Sequence, residues 1–281
     1  MKLLDDANAK QSAYWNGDAG RRWTAIQESQ DRLFTEITAA LFAAAAPQPG
    51  EKVLDVGCGA GETTLRAASL TGAALGVDVS EPLLARARER ADETGSPARF
   101  AHADATAYDF SDHAADLLIS RFGVMFFAEP AKSFANLRRG MKPGGRLAFV
   151  CWRRPELNPW LMTPLAAALN HLPPQPEAAP DDPGPFAFCD EARVRGILEA
   201  AGFTEVSFTP HAFKLDVADG EGLDSAVAKC LTLGPTSRAL DGQPEATVQA
   251  VRQAVRATLA PYLKGGVVAL DGAVWIVRAR A

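Results

Sequence analysis

The run Val53-Leu54-Asp55-Val56-Gly57-Cys58-Gly59-Ala60-Gly61-Glu62-Thr63-Thr64 decides the fold. Four residues of strand character lead into a glycine-rich turn, and the turn leads into Glu62 to Thr71, a segment of helical composition. Glycine is required in such a turn because the backbone reverses sharply and must approach a ligand with no Cβ in the way. Several nucleotide-binding classes share this pattern. The dinucleotide fingerprint G-x-G-x-x-G wants its third glycine at position 62, where this chain has Glu62, and a bulky acid at that helix start is awkward for a diphosphate.

Downstream the same cycle repeats. Ala74 to Val77 reads as a strand ending at Asp78, and Ser80 stands at the N-cap position ahead of Pro82 and the helix-forming run Leu83 to Thr94, which Gly95 and Pro97 stop. A third strand, Ala98 to His102, ends near Asp104, and a fourth, Asp116 to Ser120, ends at Arg121. Pro130 to Met141 reads as a helix, and the turn Lys142-Pro143-Gly144-Gly145 launches a fifth strand, Arg146 to Trp152, apolar enough to be covered on both faces. Strands alternating with helices at this spacing specify a mainly parallel sheet with right-handed crossovers.

Beyond Trp152 the regularity breaks. Residues 153–189 hold nine prolines, too many for a regular helix or central strand throughout, and read as an irregular cap. Asp190 to Gly202 is again an amphipathic helix with an N-cap and a terminal glycine, followed by an extended stretch from Glu205 to Val217. Residues 222–234 and 245–263 read as helical, and Val267 to Arg278 as a closing hairpin turning at Asp271-Gly272. The expected division is therefore 1–46 as N-terminal helices, 47–152 as the binding core, 153–189 as the cap, and 190–281 as the rest of the sheet with a helical insertion. Tyr14, Trp15, Trp23 and Phe34 are spaced to lie along helices packed on the sheet or to form a lid, with Trp23 as the lid residue expected to reach a bound cofactor.

Composition narrows the function classes. A net charge of −5 without a dense Lys/Arg run argues against nucleic acid as a partner. The N-terminal residues lack the apolar run of a signal peptide, and no stretch is long and apolar enough to span a bilayer, so the expected location is the cytoplasm. Cys58, Cys151, Cys189 and Cys230 stand far apart with no C-x-x-C pair, which reads as reduced thiols and neither zinc nor a disulfide framework. Cys58, inside the loop, reads as a small tolerated side chain rather than a nucleophile.

Asp78 is in reach of ribose hydroxyls, and Asp104 of an adenine amino group. Taken together, VLDVGCGAGETT, GVDVSEPLLARARERA, HADATAYDF, SRFGVMFF and MKPGGRLAF resemble, in order and spacing, the motifs of class I S-adenosylmethionine-dependent methyltransferases, and most nearly those of the ubiquinone/menaquinone-biosynthesis type that act on small molecules. The resemblance covers about residues 50 to 152. It implies an α/β, Rossmann-like doubly wound, mostly parallel seven-stranded sheet with a closing antiparallel strand, N-terminal helices and an inserted cap. It implies S-adenosyl-L-methionine as cofactor, leaving S-adenosyl-L-homocysteine, with Gly57, Cys58, Gly59 and Gly61 in the loop that cradles the methionine part and Asp55 orienting that loop. Asp78 would hold the ribose, Val79 flank the adenine, and Asp104 and Ala105 meet its edge. Ser120, Arg121 and Phe122 would sit near the reactive sulfur.

The place after the fourth strand reads Ser120-Arg121-Phe122-Gly123, unlike the [DN]-P-P-[FYW] segment of base-methylating enzymes, and lacks the metal-binding Asp of catechol-type ones, so no metal is expected. Phe122, Met125 and Phe126 are expected either as core or as an aromatic wall beside the methyl group. Trp160, Leu161, Pro164 and Phe186 of the cap are expected to line the pocket of a moderately hydrophobic small-molecule acceptor, by O, N or C. His171 and His211 read as ordinary histidines rather than a general base. A protein or peptide methyltransferase, a non-catalytic S-adenosylmethionine-binding module, a nicotinamide-dependent oxidoreductase, and a monomer or a homodimer all remain open at this point.

Overall fold

The computed structural model describes residues 6–174, 179 and 182–281, so parts of the expected N-terminal segment (1–5) and cap (175–178 and 180–181) lie outside the described residues. Four helices open the chain: α1 (Asp6–Asn16), α2 (Asp18–Ala25), α3 (Gln27–Leu33) and α4 (Thr35–Ala45). The core follows as β1 (Lys52–Val56), α5 (Glu62–Thr71), β2 (Ala73–Asp78), α6 (Glu81–Thr94), β3 (Arg99–His102), β4 (Ala115–Arg121), α7 (Pro130–Arg139) and β5 (Met141–Trp152). After it come α8 (Pro159–Leu169), α9 (Glu191–Ala200), β6 (Thr204–Asp216), α10 (Leu223–Thr232), α11 (Gly234–Ala239), α12 (Glu245–Leu259), β7 (Leu263–Lys264) and β8 (Val267–Arg280).

Seven strands lie side by side in the order β3-β2-β1-β4-β5-β8-β6, and the two-residue β7 pairs with the start of β8. The pairs among β1 to β5 are parallel, whereas β8 runs antiparallel to both its neighbours. Strand order reverses beside β1, between β2 and β4, and in open α/β sheets ligands bind in the crevice beyond the carboxyl ends of the strands at such a reversal. Leu117, Leu118 and Ile119 of β4 and Phe149, Val150 and Cys151 of β5 are fully buried, as expected for strands covered by helices on both faces. Burying one such side chain contributes about 1.5–3 kcal/mol, so the centre of the sheet is a rigid platform for the loops at its carboxyl edge.

Several local readings are corrected. Ser80 stands at the start of α6, but its hydroxyl donates to the carbonyl of Trp15 (2.7 Å) and caps nothing, while its own N–H is taken by Asp78 Oδ1 (2.9 Å). β5 begins at Met141, which pairs with Ala115, and the ladder resumes at Arg146 opposite Leu117, so Lys142-Pro143-Gly144-Gly145 bulges out of a strand rather than preceding one. Within the Pro-rich segment α8 is a helix of 11 residues with Pro164 inside it. α10 fills the stretch read as helical over 222–234, α11 begins at its end and runs on to Ala239, and α12 gives way to a 3-10 turn at Ala260–Tyr262 and then β7.

The largest correction concerns the closing hairpin. β8 is one continuous strand in which Asp271 and Gly272 pair with Lys214 and Phe213, and the reversal occurs at Gly265-Gly266 between β7 and β8. Gly272 is required by packing, since a Cβ there would meet the Phe213 ring at 2.6 Å and Trp160 at 3.2 Å. The helix beginning after Asp190 matches its expected cap, with Asp190 Oδ1 accepting from Arg193 N at 2.8 Å.

Candidate functional site

The crevice is built from the ends of β1 to β5. After β1 the chain passes Gly57 in the left-handed region (φ 67°), where a Cβ would lie 2.6 Å from Gly123 Cα, so the loop after β1 and the turn after β4 can touch only as glycines. Asp55 lies beneath this loop, fully buried, with Oδ2 accepting from the hydroxyls of Thr63 and Thr64 (2.6 Å each) in the first turn of α5. Burial pushes its carboxyl up to about 6, the two threonine hydrogen bonds working in the opposite direction. Gly61 serves packing instead of the crevice, because a Cβ there would meet Ala87 and Phe100 at 2.9 Å. Cys58 is buried, and burial together with the carboxylates of Asp78 and Asp55 pushes its thiol well up, which removes thiolate chemistry at ordinary pH.

Asp78 ends β2 with Oδ2 accepting from Gly59 N (2.8 Å) and Oδ1 from Ser80 N (2.9 Å), so the carboxylate fixes the loops on either side of it and faces the cavity between them. Desolvation raises its carboxyl, and the backbone N–H groups of Gly59, Ser80 and Val79 pull the other way. Asp104 accepts from Thr106 N (2.9 Å) and from Asn8 Nδ2 of α1 (3.0 Å). Arg121 donates to Glu62 Oε2 (2.5 Å) and Thr38 Oγ1 (2.6 Å), with Asp31 at 3.7 Å, so its charge is balanced inside the molecule. Phe122 adopts φ 69° and stacks on Trp152 with ring centroids 4.3 Å apart and planes 10° from parallel. A non-glycine residue in that region costs about 1–3 kcal/mol and persists where the surroundings over-determine it.

These residues enclose two adjoining cavities. The first, about 150 Å³, is lined by Trp23, Gly57, Gly59, Asp78, Val79, Asp104, Ala105, Arg121 and Phe122 from the set expected on sequence grounds. Asp55, Cys58, Gly61 and Ser120 do not line it; Ser120 is buried and donates to the Val56 carbonyl (2.7 Å), tying β4 to β1. Residues outside the expected set also line it, among them Asn8, Gln11, Trp15, Leu83 and Phe127. Gln11 Oε1 is a buried acceptor without a partner, a polar atom aimed where a ligand would be. The second cavity, about 860 Å³, has walls that include Phe34, Met125, Trp152, Trp160, Leu161 and Phe186. Pro164 faces a separate small cavity with Leu33 and Cys230. Trp15, Trp23, Phe122 and Phe126 belong to both large cavities and form their common wall. No group of three or more His, Cys, Asp or Glu residues that could hold a metal occurs among the described residues.

A Rossmann-like sheet with one antiparallel strand, a glycine loop after β1, an acid at the end of β2 and another after β3 define a class I methyltransferase domain of the S-adenosylmethionine-binding type. Residues 53–145 match the family model described as a methyltransferase domain. An uncharacterized protein of Mycobacterium tuberculosis is 36% identical over 112 residues, which is 40% of this chain and 41% of that protein, so the match spans about two-fifths of such relatives. The ubiquinone/menaquinone biosynthesis C-methyltransferase of Yersinia pestis is 27% identical over 173 residues, covering 57% of this chain and 69% of the relative. The crystal structure of a putative methyltransferase from Bacillus halodurans superposes with a TM-score of 0.54 at 21% identity, over 86% of this chain and 97% of that one, a likeness of fold. The chain carries a class I S-adenosylmethionine-dependent methyltransferase domain.

Proposed function

We propose that this protein acts in the cytoplasm and transfers the methyl group of S-adenosylmethionine to a small molecule held in the larger cavity. The observation that carries this reading is the common wall: a cofactor in the smaller cavity and an acceptor in the larger would meet at Phe122 and Phe126, flanked by Trp15 and Trp23. The donor set suits the cofactor. Asp78 holds the ribose hydroxyls, Val79 and Leu83 flank the adenine, Asp104 and Ala105 meet its edge, and the orphaned Gln11 Oε1 supplies a further acceptor. Gly57 and Gly59 let the backbone approach the methionine part. Arg121 is neutralised by Glu62 and Asp31, so the cavity presents no bare cation to a sulfonium. Glu62, which already argued against a dinucleotide, is fixed by Arg121 and Thr38.

The bound cofactor supplies a methyl group already activated by the adjacent sulfonium. The chain then has to hold a nucleophile in line and exclude water, and such positioning can supply about 7–11 kcal/mol of the barrier. Aromatic faces at the common wall suit positive charge. No histidine, lysine or glutamate lines either cavity among the described residues, and Asp182 is the one carboxylate on the acceptor wall. A volume of about 860 Å³ with aromatic walls favours a small molecule over a peptide groove.

Calorimetric titration with S-adenosylmethionine, S-adenosylhomocysteine and NADH tests the reading. Micromolar binding of the first two is expected, weakened about 10- to 100-fold in a folded Asp78→Ala variant by loss of charge-assisted hydrogen bonds. Binding of NADH alone would overturn it.

A further inference from the structure

The larger cavity carries more information than its size. Its deep part is a cluster of rings: Phe34 meets Phe122 at 5.5 Å and Trp160 at 6.0 Å between centroids, and Trp152 meets Trp160 at 5.2 Å. Such a surface prefers a flat, apolar body to a flexible or heavily hydroxylated one. The cavity has only two charged residues on its wall among the described residues, Asp182 and Arg238. Asp182 accepts from the Ala179 N–H (2.8 Å) and belongs to its own loop.

Arg238 differs. It lies in the last turn of α11, with its guanidinium 4.8 Å from the Tyr14 ring centroid, and that guanidinium makes neither an ion pair nor a hydrogen bond to a described residue. The neighbouring cation, Arg22, is taken by Asp241 (2.8 Å). A guanidinium held on an aromatic face keeps its planar edge of N–H donors free, the geometry that meets a carboxylate or sulfonate with two parallel hydrogen bonds. Tyr14 is 5.2 Å from Trp15, which stands on the common wall, so Arg238 is one ring removed from where the two cavities meet.

We propose that the acceptor is a planar, largely apolar acid whose ring body fills the aromatic cavity and whose anionic group is bound by Arg238, a reading that rests on the methyl-transfer assignment above. Arg238 is then the residue that sets specificity for an anion, and the ring cluster sets it for a flat body. A neutral compound of the same shape loses the Arg238 contact and keeps the rest.

Two fluorescent probes separate these contributions: 8-anilinonaphthalene-1-sulfonate, an apolar ring system with a sulfonate, and N-phenyl-1-naphthylamine, the same rings without it. They are titrated into the full chain saturated with S-adenosylhomocysteine. The anionic probe is expected to bind more tightly, and Arg238→Gln to weaken it about tenfold while changing the neutral probe less than about twofold. Gly184→Trp places an indole on the cavity wall, where a Cβ meets only the Asp182 carbonyl at 3.8 Å and Arg238 Nη1 at 3.9 Å, and is expected to abolish binding of both probes. Probe affinities that ignore Arg238, fall equally for both probes, survive Gly184→Trp, or are absent altogether would overturn the proposal. Calorimetry with S-adenosylhomocysteine on the same preparations keeps the two readings apart. Failure to bind it defeats the methyltransferase reading, whereas intact binding with probes indifferent to Arg238 defeats the acid alone.

Discussion

A carboxylate buried without a cation in contact is costly to ionise, and Asp55 is such a group, with two threonine hydroxyls on one oxygen and no partner on the other. Its carboxyl stands at about 6 in the folded chain against an ordinary 3.8, so the folded state holds the proton more tightly than the unfolded one. The stability this contributes is fully present below pH 3.8 and is lost as pH rises through about 6. Asp55→Asn keeps an acceptor for the threonines and removes the titration. Its urea midpoint should therefore gain on the wild type more at about pH 7.5 than at about pH 4.5, by an amount worth about 2 kcal/mol; equal gains at both would show that Asp55 does not titrate in this window. Arg121 poses the opposite case, a cation whose removal strands an acid. With side chains only 15% and 20% exposed, Arg121→Met should cost about 2–3 kcal/mol by leaving Glu62 without a cation and with only the Thr38 hydroxyl. Adding Glu62→Gln should recover much of that loss, and additive effects in the double-mutant cycle would show that the pair is not coupled.

At the scale of elements, β8 separates what sequence can say from what packing adds. Asp271-Gly272 has the composition of a tight turn, yet the strand runs through it because Phe213 and Trp160 need the space a side chain would take. Gly272→Ala should consequently cost about 1–3 kcal/mol by overpacking, measured as a lower denaturation midpoint, whereas a glycine inserted between Gly265 and Gly266 should cost less; a neutral Gly272→Ala would mean the rings move aside freely. Between Val53 and Trp152 most of the order of elements is legible because strand, loop and helix each carry their own chemistry, glycines where chains touch and acids at strand ends, whereas the Pro-Gly-Gly segment has the composition of a turn and is a bulge within β5. The motif puts Ser120 and Gly61 beside a ligand, yet each faces a neighbouring strand or helix, since a motif gives position along the chain but not the direction of a side chain. Asn8 and Gln11 left no signal, because a polar residue on a helix looks like ordinary surface until that helix docks. Pro164 lies within α8, where helix propensity opposes it and burial against the core overrides.

For the molecule as a whole, the core lines most of the smaller cavity and α1 and α2 close one side of it with Asn8, Gln11, Trp15 and Trp23, so a ligand meets that side of its wall only when the two helices are docked. Polar contacts that hold α1 against the core include Asn16 Nδ2 donating to the Val79 carbonyl (2.7 Å), Asn16 Oδ1 accepting from Glu81 N (3.0 Å) at the open start of α6, Ser80 donating to the Trp15 carbonyl, and Asn8 Nδ2 donating to Asp104 and Thr106 (3.0 Å each). The sheet, by contrast, is secured by a core in which these helices have little part. Two consequences follow from this division. Weakening the docking lowers the fraction of chains competent to bind, and the apparent affinity for the cofactor falls by that fraction. Because the sheet does not depend on the same contacts, its own unfolding midpoint changes little. Asn16→Ala removes the two docking hydrogen bonds of that side chain, worth about 0.5–1.5 kcal/mol each, along with its local bond to the Ser12 carbonyl, so affinity for S-adenosylhomocysteine should fall up to about tenfold while hydrogen exchange in β1, β4 and β5 stays as slow as in the wild type. Exchange in α1 and α2 should be faster in the variant and should slow again in both proteins on saturation with S-adenosylhomocysteine. Unchanged affinity together with unchanged exchange in α1 would mean that aromatic packing of Trp15 against Trp23 and Phe126 holds the helices down by itself, and that the polar contacts are dispensable.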